Sequence, residues 1–177
     1  MAGALLQKPS VCLIGMPGAG KSSLGVLLAK ALGLAFMDTD LLIQESEGKL
    51  LQAIVENKGF EGFISTEERA LISIKPSVRA VIATGGSAVY SKAATLHLRG
   101  FSTLVYLQLP LESLEGRLKN IATRGVLFRP GQGLKELFAE RLPLYEAAAD
   151  LIVPCEGLDV EAALLAVIAA LRGQKRG

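Results

Sequence analysis

The octapeptide Gly15-Met16-Pro17-Gly18-Ala19-Gly20-Lys21-Ser22 carries the chain's clearest chemistry. Its glycines let the backbone curl until successive N–H groups face inward, and such a concavity binds anions. Lys21 can reach β- and γ-phosphates, and the Ser22 hydroxyl is a hard oxygen donor for Mg²⁺. Gly15, Gly18, Ala19, Gly20 and Ser23 complete a nucleotide-phosphate cradle. A glycine-rich turn without a ligand is the plainer alternative. Further on, Asp38 and Asp40 stand two residues apart, a spacing that puts both carboxylates on one side of an extended segment. One carboxylate beside Mg²⁺ and one beside an acceptor hydroxyl suit phosphoryl transfer. The alternative is that Asp38 or Thr39 merely caps the next helix. Thr84-Gly85-Gly86-Ser87 offers either a close backbone approach to a ligand or a simple tight turn. Arg124 and Arg129 lie in a basic, glycine-flanked stretch at 121–133, with Arg117 before it and Arg141 after it. Arginines on a loop that closes over a nucleotide bind phosphate and spread transition-state charge.

These groups need a scaffold that brings them to one edge. The apolar run Val11-Cys12-Leu13-Ile14 reads as a buried strand, and apolar spacing over 22–32 reads as a helix ending at Gly33. The phosphate pattern therefore sits between a strand and a helix N-terminus, where unpaired N–H groups and the dipole favour an anion. A second strand, Ala35-Phe36-Met37, delivers Asp38 and Asp40. Helical stretches follow from residue 41, interrupted at Gly48 and Gly59, and Phe63, Thr66, Ala70 and Ile74 share one face before Pro76. Strands are expected at 78–83, 103–109 and 151–153, and helices at 91–99, 111–120, 134–149 and 159–172. Pro143 is expected to kink the helix that contains it. Strands that are continuous apolar runs between helices predict an α/β fold, a parallel sheet covered on both faces. No repeat or linker divides the chain, so a single domain over 1–177 is expected.

Bulk properties narrow the function. Half of the 177 residues are apolar, against a net charge of +2, which gives no electrostatic case for nucleic acid or a membrane surface. Cys12 and Cys155 are too few for a disulfide scaffold, and His97 has no ligand-like neighbours. No apolar run approaches a membrane span and no signal-peptide pattern is present, so a cytoplasmic enzyme is expected.

Taken together, the phosphate loop, Phe36-Met37-Asp38-Thr39-Asp40, Gly59 through Phe63 with Glu67, Thr84-Gly85-Gly86, and Glu140-Arg141-Leu142-Pro143-Leu144-Tyr145 resemble the shikimate kinase family over nearly the whole length. The resemblance implies a nucleoside-monophosphate-kinase-like P-loop fold: three layers, α/β/α, around a five-stranded parallel sheet in the order 2-3-1-4-5. It implies transfer of the ATP γ-phosphate to the 3-hydroxyl of shikimate with Mg²⁺, by a protein expected to be a monomer. Carried over, Lys21 would bind the transferring phosphate, Ser22 would ligate Mg²⁺ and Asp38 would hold it through water. Asp40 would bind the acceptor hydroxyls and orient or deprotonate the attacking one. Gly85 and Gly86 would offer backbone N–H groups, and Arg141 would pair with the acceptor carboxylate. Arg124 matches the lid arginine and Arg117 would lie against adenine. The lid would span about 121–133 and the acceptor-binding helices about 40–74.

Three positions depart from the pattern. The family's G-E-x-x-F-R-x-x-E reads Gly59-Phe60-Glu61-Gly62-Phe63-Ile64-Ser65-Thr66-Glu67, so Ile64 stands where a substrate-binding arginine is expected. The third glycine of the Gly-Gly-Gly turn is Ser87, and the lid lacks the Arg-Pro-Leu-Leu run and is shortened. A kinase for another hydroxylated metabolite, or a nucleotide-binding module without transfer activity, are the competing functions. Retention of Asp40 beside the complete phosphate loop speaks against the second.

Overall fold

The computed structural model describes residues 6–118 and 126–174. In chain order the elements are β1 (Ser10–Ile14), α1 (Lys21–Leu32), β2 (Ala35–Asp38), α2 (Thr39–Glu47), α3 (Leu51–Ser73), β3 (Ala80–Ala83) and α4 (Lys92–Arg99). They continue as β4 (Ser102–Gln108), α5 (Leu111–Leu118), α6 (Leu134–Ala148), β5 (Leu151–Pro154) and α7 (Val160–Gly173). A short 3₁₀ turn, Ala88–Tyr90, precedes α4 and is absent from the sequence expectations.

The five strands pair in parallel in the order β2-β3-β1-β4-β5, as expected. Central β1 explains the continuous apolar runs. It has a neighbour on each edge, with Val11 opposite Val81 and Thr103. Its Val11, Cys12 and Leu13 are wholly buried, as are Val81 and Ile82 of β3 and Leu104 and Val105 of β4. Burial of both side-chain directions requires cover on both faces. On that cover α1 packs with α7, and α3 packs with α4. A second, smaller apolar cluster joins Ile43 of α2, Ile54, Phe63 and Ala70 of α3, and Leu127.

Some boundaries differ from expectation for local reasons. The expected strand at 78–83 begins only at Ala80, because Val78 N–H closes a turn onto Lys75 O behind Pro76. The break at Gly59 is a kink within α3, made possible by a left-handed φ of +64°. Helix α6 runs through Pro143, as expected, and ends one residue before the expected boundary. The edge nearest β5 is tied down by Asp150. Its carboxylate accepts from Arg99 Nε at 2.8 Å and Leu104 N at 3.0 Å, and these bonds hold it below the usual aspartate range against its partial burial.

The remaining side notes of the sequence find structural roles. Cys12 and Cys155 are buried, and burial pushes the Cys12 thiol up to about 12. A His97 ring nitrogen bonds Ile74 O at 2.8 Å and the ring packs edge-on against Phe101. Among the described residues no helix is long and apolar enough to cross a membrane.

Candidate active site

Between β1 and α1 the backbone takes left-handed turns at Gly18 (φ +77°) and Gly20 (φ +88°), which side chains disfavour. At Gly18 a Cβ would also lie 2.6 Å from Leu118 Cδ2, so glycine here serves both the turn and the approach of α5. Lys21 opens α1, and its buried side chain folds back along the loop. Its Nζ donates to Gly15 O at 2.7 Å and Met16 O at 2.8 Å. Burial pushes this ammonium down to about 8, while Asp40 pulls it up.

A cavity of about 490 Å³ runs from this loop to Arg141. Lys21, Ser22 and Ser23 line one end, Asp40, Gly85, Gly86 and Ser87 lie along it, and Phe63 and Leu127 give it apolar surface. A second cavity of about 240 Å³ shares Gly20, Ser23 and Arg117 with the first and continues past Leu24 to Leu158, Asp159 and Val160. Arg117 Nη1 is 3.5 Å from Gly18 O, which places this side chain at the junction.

Asp38 and Asp40 do not share an extended segment. Asp38 ends β2 and caps α2, with its Oδ1 accepting from Asp40 N at 3.0 Å, while Asp40 lies in the first helical turn. The capping alternative thus holds for Asp38, and its second oxygen takes no part in that bond. Asp40 faces the cavity, and burial, with Asp38 adding to it, pushes its carboxyl up to about 6 against the pull of Lys21. Gly85 also departs from the expectation. Its N–H donates to the buried Thr39 hydroxyl at 3.2 Å rather than facing a ligand. What its lack of a side chain does is admit carboxylates: a Cβ there would lie 2.4 Å from Glu67 Oε1 and 2.9 Å from Asp40 Oδ1. Gly86 lines the cavity, and its carbonyl accepts from Tyr145 Oη at 2.6 Å. Arg124, with part of the expected lid, lies outside the described residues.

Glu67 is the functional group that sequence reasoning passed over. It is 1 % exposed, and neither carboxylate oxygen has a hydrogen-bond partner among the described residues. Burial pushes it up to about 7; the Ser87 hydroxyl, near but outside hydrogen-bonding geometry, pulls the other way, and the Asp40 charge adds to the rise. The signal was present as an acid four residues after Phe63, on the apolar face of its helix. Such a group binds a proton in the fold between about pH 4.5 and 7 that the unfolded chain has released. Its contribution to stability is therefore fully present below its ordinary pKa and is lost as pH rises through 7. Glu67→Gln should raise the midpoint of thermal unfolding of the ligand-free protein by ~2–6 °C at pH 8 and change it little at pH 5. Circular dichroism melts at the two pH values measure this, and an equal shift at both would assign the titration elsewhere.

Arg141 is 1 % exposed, yet no carboxylate of the described residues pairs with it. Its Nη2 donates to Leu127 O at 2.9 Å, its Nε to Tyr90 Oη at 3.2 Å, and its Nη1 lies 3.0 Å from where a Cβ on Gly86 would be. A buried guanidinium without an ion-pair partner in contact is costly in an empty fold and favours an anionic ligand. Tyr90 and Leu127 were not singled out in the sequence, because only the folded chain brings them to Arg141.

A phosphate cradle at a helix N-terminus and the Asp40 carboxyl facing an acceptor-sized cavity define a P-loop phosphotransferase acting on a small molecule. Comparison with known proteins narrows this. A family model described as shikimate kinase matches residues 17–172. The shikimate kinase of Histophilus somni (strain 2336) is 36% identical over 155 residues, covering 86% of this chain and 89% of the relative. Shikimate kinase from Acinetobacter baumannii, solved in complex with shikimate, superposes with a TM-score of 0.84 at 30% identity, covering 99% of this chain and 98% of the other. The enzyme from Aquifex aeolicus vf5 gives 0.78 at 33% identity, with 94% and 98% covered. The chain belongs to the shikimate kinase family.

Proposed function

We propose that this protein transfers the γ-phosphoryl group of ATP to a hydroxyl of shikimate. The observation that carries the reading is one cavity with the Lys21 ammonium at one end, the Arg141 guanidinium at the other and the carboxyl groups of Asp40 and Glu67 beside it. A molecule with hydroxyls in the middle and a carboxylate at one end matches that sequence of charges. The A. baumannii relative, solved with shikimate bound, supports the same acceptor.

In this reading Lys21 leaves its two loop carbonyls for phosphate oxygens and stabilises charge that develops on the transferring group. Asp40 holds the attacking hydroxyl and takes its proton. The new O–P bond forms as the bond to the bridging oxygen of ADP breaks. Glu67, pushed up to about 7, keeps its proton in a fraction of molecules near neutrality and can then donate its O–H to a second acceptor oxygen. Arg117 would lie against the base at the mouth of the second cavity, whose Leu24, Leu158 and Val160 walls suit a flat apolar ring. Gly15, Gly18, Ala19, Gly20 and Ser23 would cradle the phosphates.

Shikimate kinases use ATP with Mg²⁺. The donors present fit that ion: the Ser22 hydroxyl lines the phosphate end of the cavity, and Asp38 has a carboxylate oxygen beyond its capping bond. No cluster of three or more His, Cys, Asp or Glu exists among the described residues, as suits an ion held largely by phosphates and water. When bound, Mg²⁺ would neutralise charge on the phosphates. Arg124 is proposed for the lid role and Arg141 for the acceptor carboxylate. A single domain over 1–177 acting as a monomer belongs to the same proposal, and a cytoplasmic setting suits a substrate paired with ATP.

Mixing the protein with Mg-ATP and a panel of hydroxy acids, and following ADP release, tests the reading. ADP that depends on shikimate supports it. Release only with other acceptors would favour a second kinase reading, to which Ile64 in place of the family's arginine points. Nucleotide binding without turnover would overturn both.

A further inference from the structure

The acceptor end has one guanidinium inside the cavity and a second poised beside it. Arg129 stacks its guanidinium carbon 4.0 Å above the centroid of the Phe60 ring. Phe60 meets Tyr90 edge to face at 5.4 Å, and Arg141 lies 5.0 Å over the far side of that pair, on Tyr90. Two arginines therefore share one aromatic ledge. Ile64 follows Phe60 by one helical turn on α3 and packs into the same apolar cluster, so Arg129 is carried to the part of the helix where position 64 lies.

The other cations near that helix point elsewhere. Lys58 Nζ is held by Glu47 at 2.7 Å and Thr66 at 2.9 Å, and Arg69 Nη2 turns to the same threonine at 3.3 Å. Arg117 belongs to the loop end of the cavity. Arg129, by contrast, is held loosely. Its ion pairs to Glu61 and Glu140 measure 3.4 and 3.3 Å, and nearly half of its side chain is exposed. Exposed pairs of that length are weak and release a guanidinium cheaply. Two substitutions also agree with each other. The pattern's acid and arginine, one turn apart, are here Phe60 and Ile64, so the helix lost its cation and gained a ring on which a cation from another segment stacks.

We infer that Arg129 supplies the second guanidinium for the acceptor's carboxylate, opposite Arg141 and in place of an arginine at position 64. The inference rests on the proposed shikimate reading. Arg129 reaches the site by sliding along the Phe60–Tyr90 ledge from its exposed carboxylates, so acceptor binding draws the segment after Leu127 onto α3. Specificity for a carboxylate then resides partly in this segment rather than wholly in the helices.

The test uses the full chain with saturating Mg-ATP and two acceptors, shikimate and its carboxamide. Arg129→Ala should raise the KM for shikimate at least ~10-fold, the loss of one charge-assisted pair, with the KM for ATP unchanged. The same variant should lose much less on the carboxamide, whose amide oxygen accepts a hydrogen bond but offers no charge to either arginine. Arg129→Lys should fall between, because it keeps the charge and loses the planar fork. Ile64→Arg in the Arg129→Ala background should recover most of the lost shikimate affinity. An unchanged shikimate KM, or equal losses on both acceptors, would overturn the inference, the second because it marks Arg129 as a structural tie only. Wild-type protein inactive on shikimate but active on another acceptor would instead overturn the reading on which it rests.

Discussion

Lys21→Met leaves a folded protein whose turnover falls by at least ~10²–10³, the scale expected when a preorganised charge is removed from a developing anion. Lys21 is 7 % exposed, and among the described residues its ammonium is bound only to the Gly15 and Met16 carbonyls. Methionine keeps the length of the stem and leaves no cavity in the apolar core, so the strands and α1 remain in place. The two carbonyls lose a donor, which costs about 1–3 kcal/mol of stability without displacing a core side chain. Substrate and transition state differ in this respect: the ammonium gains most when charge moves to the bridging oxygen, so turnover suffers more than nucleotide affinity. Circular dichroism with a coupled ADP assay decides the matter, and near-normal turnover in a folded variant would remove Lys21 from the chemistry.

Asp40→Asn produces the second large effect, a fall in turnover of ~10²–10⁴ with ATP affinity nearly intact. The carboxyl faces the part of the cavity shared by Gly85 and Glu67, beyond the phosphate loop. The amide occupies the same space and can still hold a hydroxyl, but it accepts no proton. Its backbone N–H continues to bond Asp38, so α2 keeps its cap. Titration calorimetry with a non-hydrolysable ATP analogue should return a nearly unchanged Kd. A large loss there would move Asp40 to the nucleotide side.

What could be read in the sequence was what local chemistry dictates. The phosphate loop depends on eight consecutive residues, and its turns follow from glycines at fixed spacing. Parallel strands announced themselves because β1, β3 and β4 are buried on both faces, leaving no polar alternation. Asp40 and Arg141 were found through motif context. Glu67 was quoted only as part of a pattern, because burial of both its oxygens depends on Gly85 arriving from β3, and no local rule reports that. Arg129 was read with Arg124 as a loop arginine for phosphate, and no local rule pointed it at the acceptor. Its place on Phe60 exists only once Arg129 meets α3 in the folded chain. The Asp38 cap shows the opposite case: the local alternative was legible, and the cap engages one carboxylate oxygen of the two.

The central position of β1 has a consequence for how the protein is made. Its residues pair with Val81 of β3 and Ser102 of β4, partners some seventy and ninety positions later in the chain. On a ribosome moving at ~5–20 residues per second, β1 therefore waits about 5–20 s before both neighbours have been synthesised. During that interval Val11, Leu13 and Ile14 have no sheet to enter, and the phosphate loop has no fixed strand to start from. ATP, abundant in any cell, cannot template the nascent chain at this stage. The parallel sheet closes around β1 only once β4 has emerged, and nucleotide binding follows that step rather than guiding it.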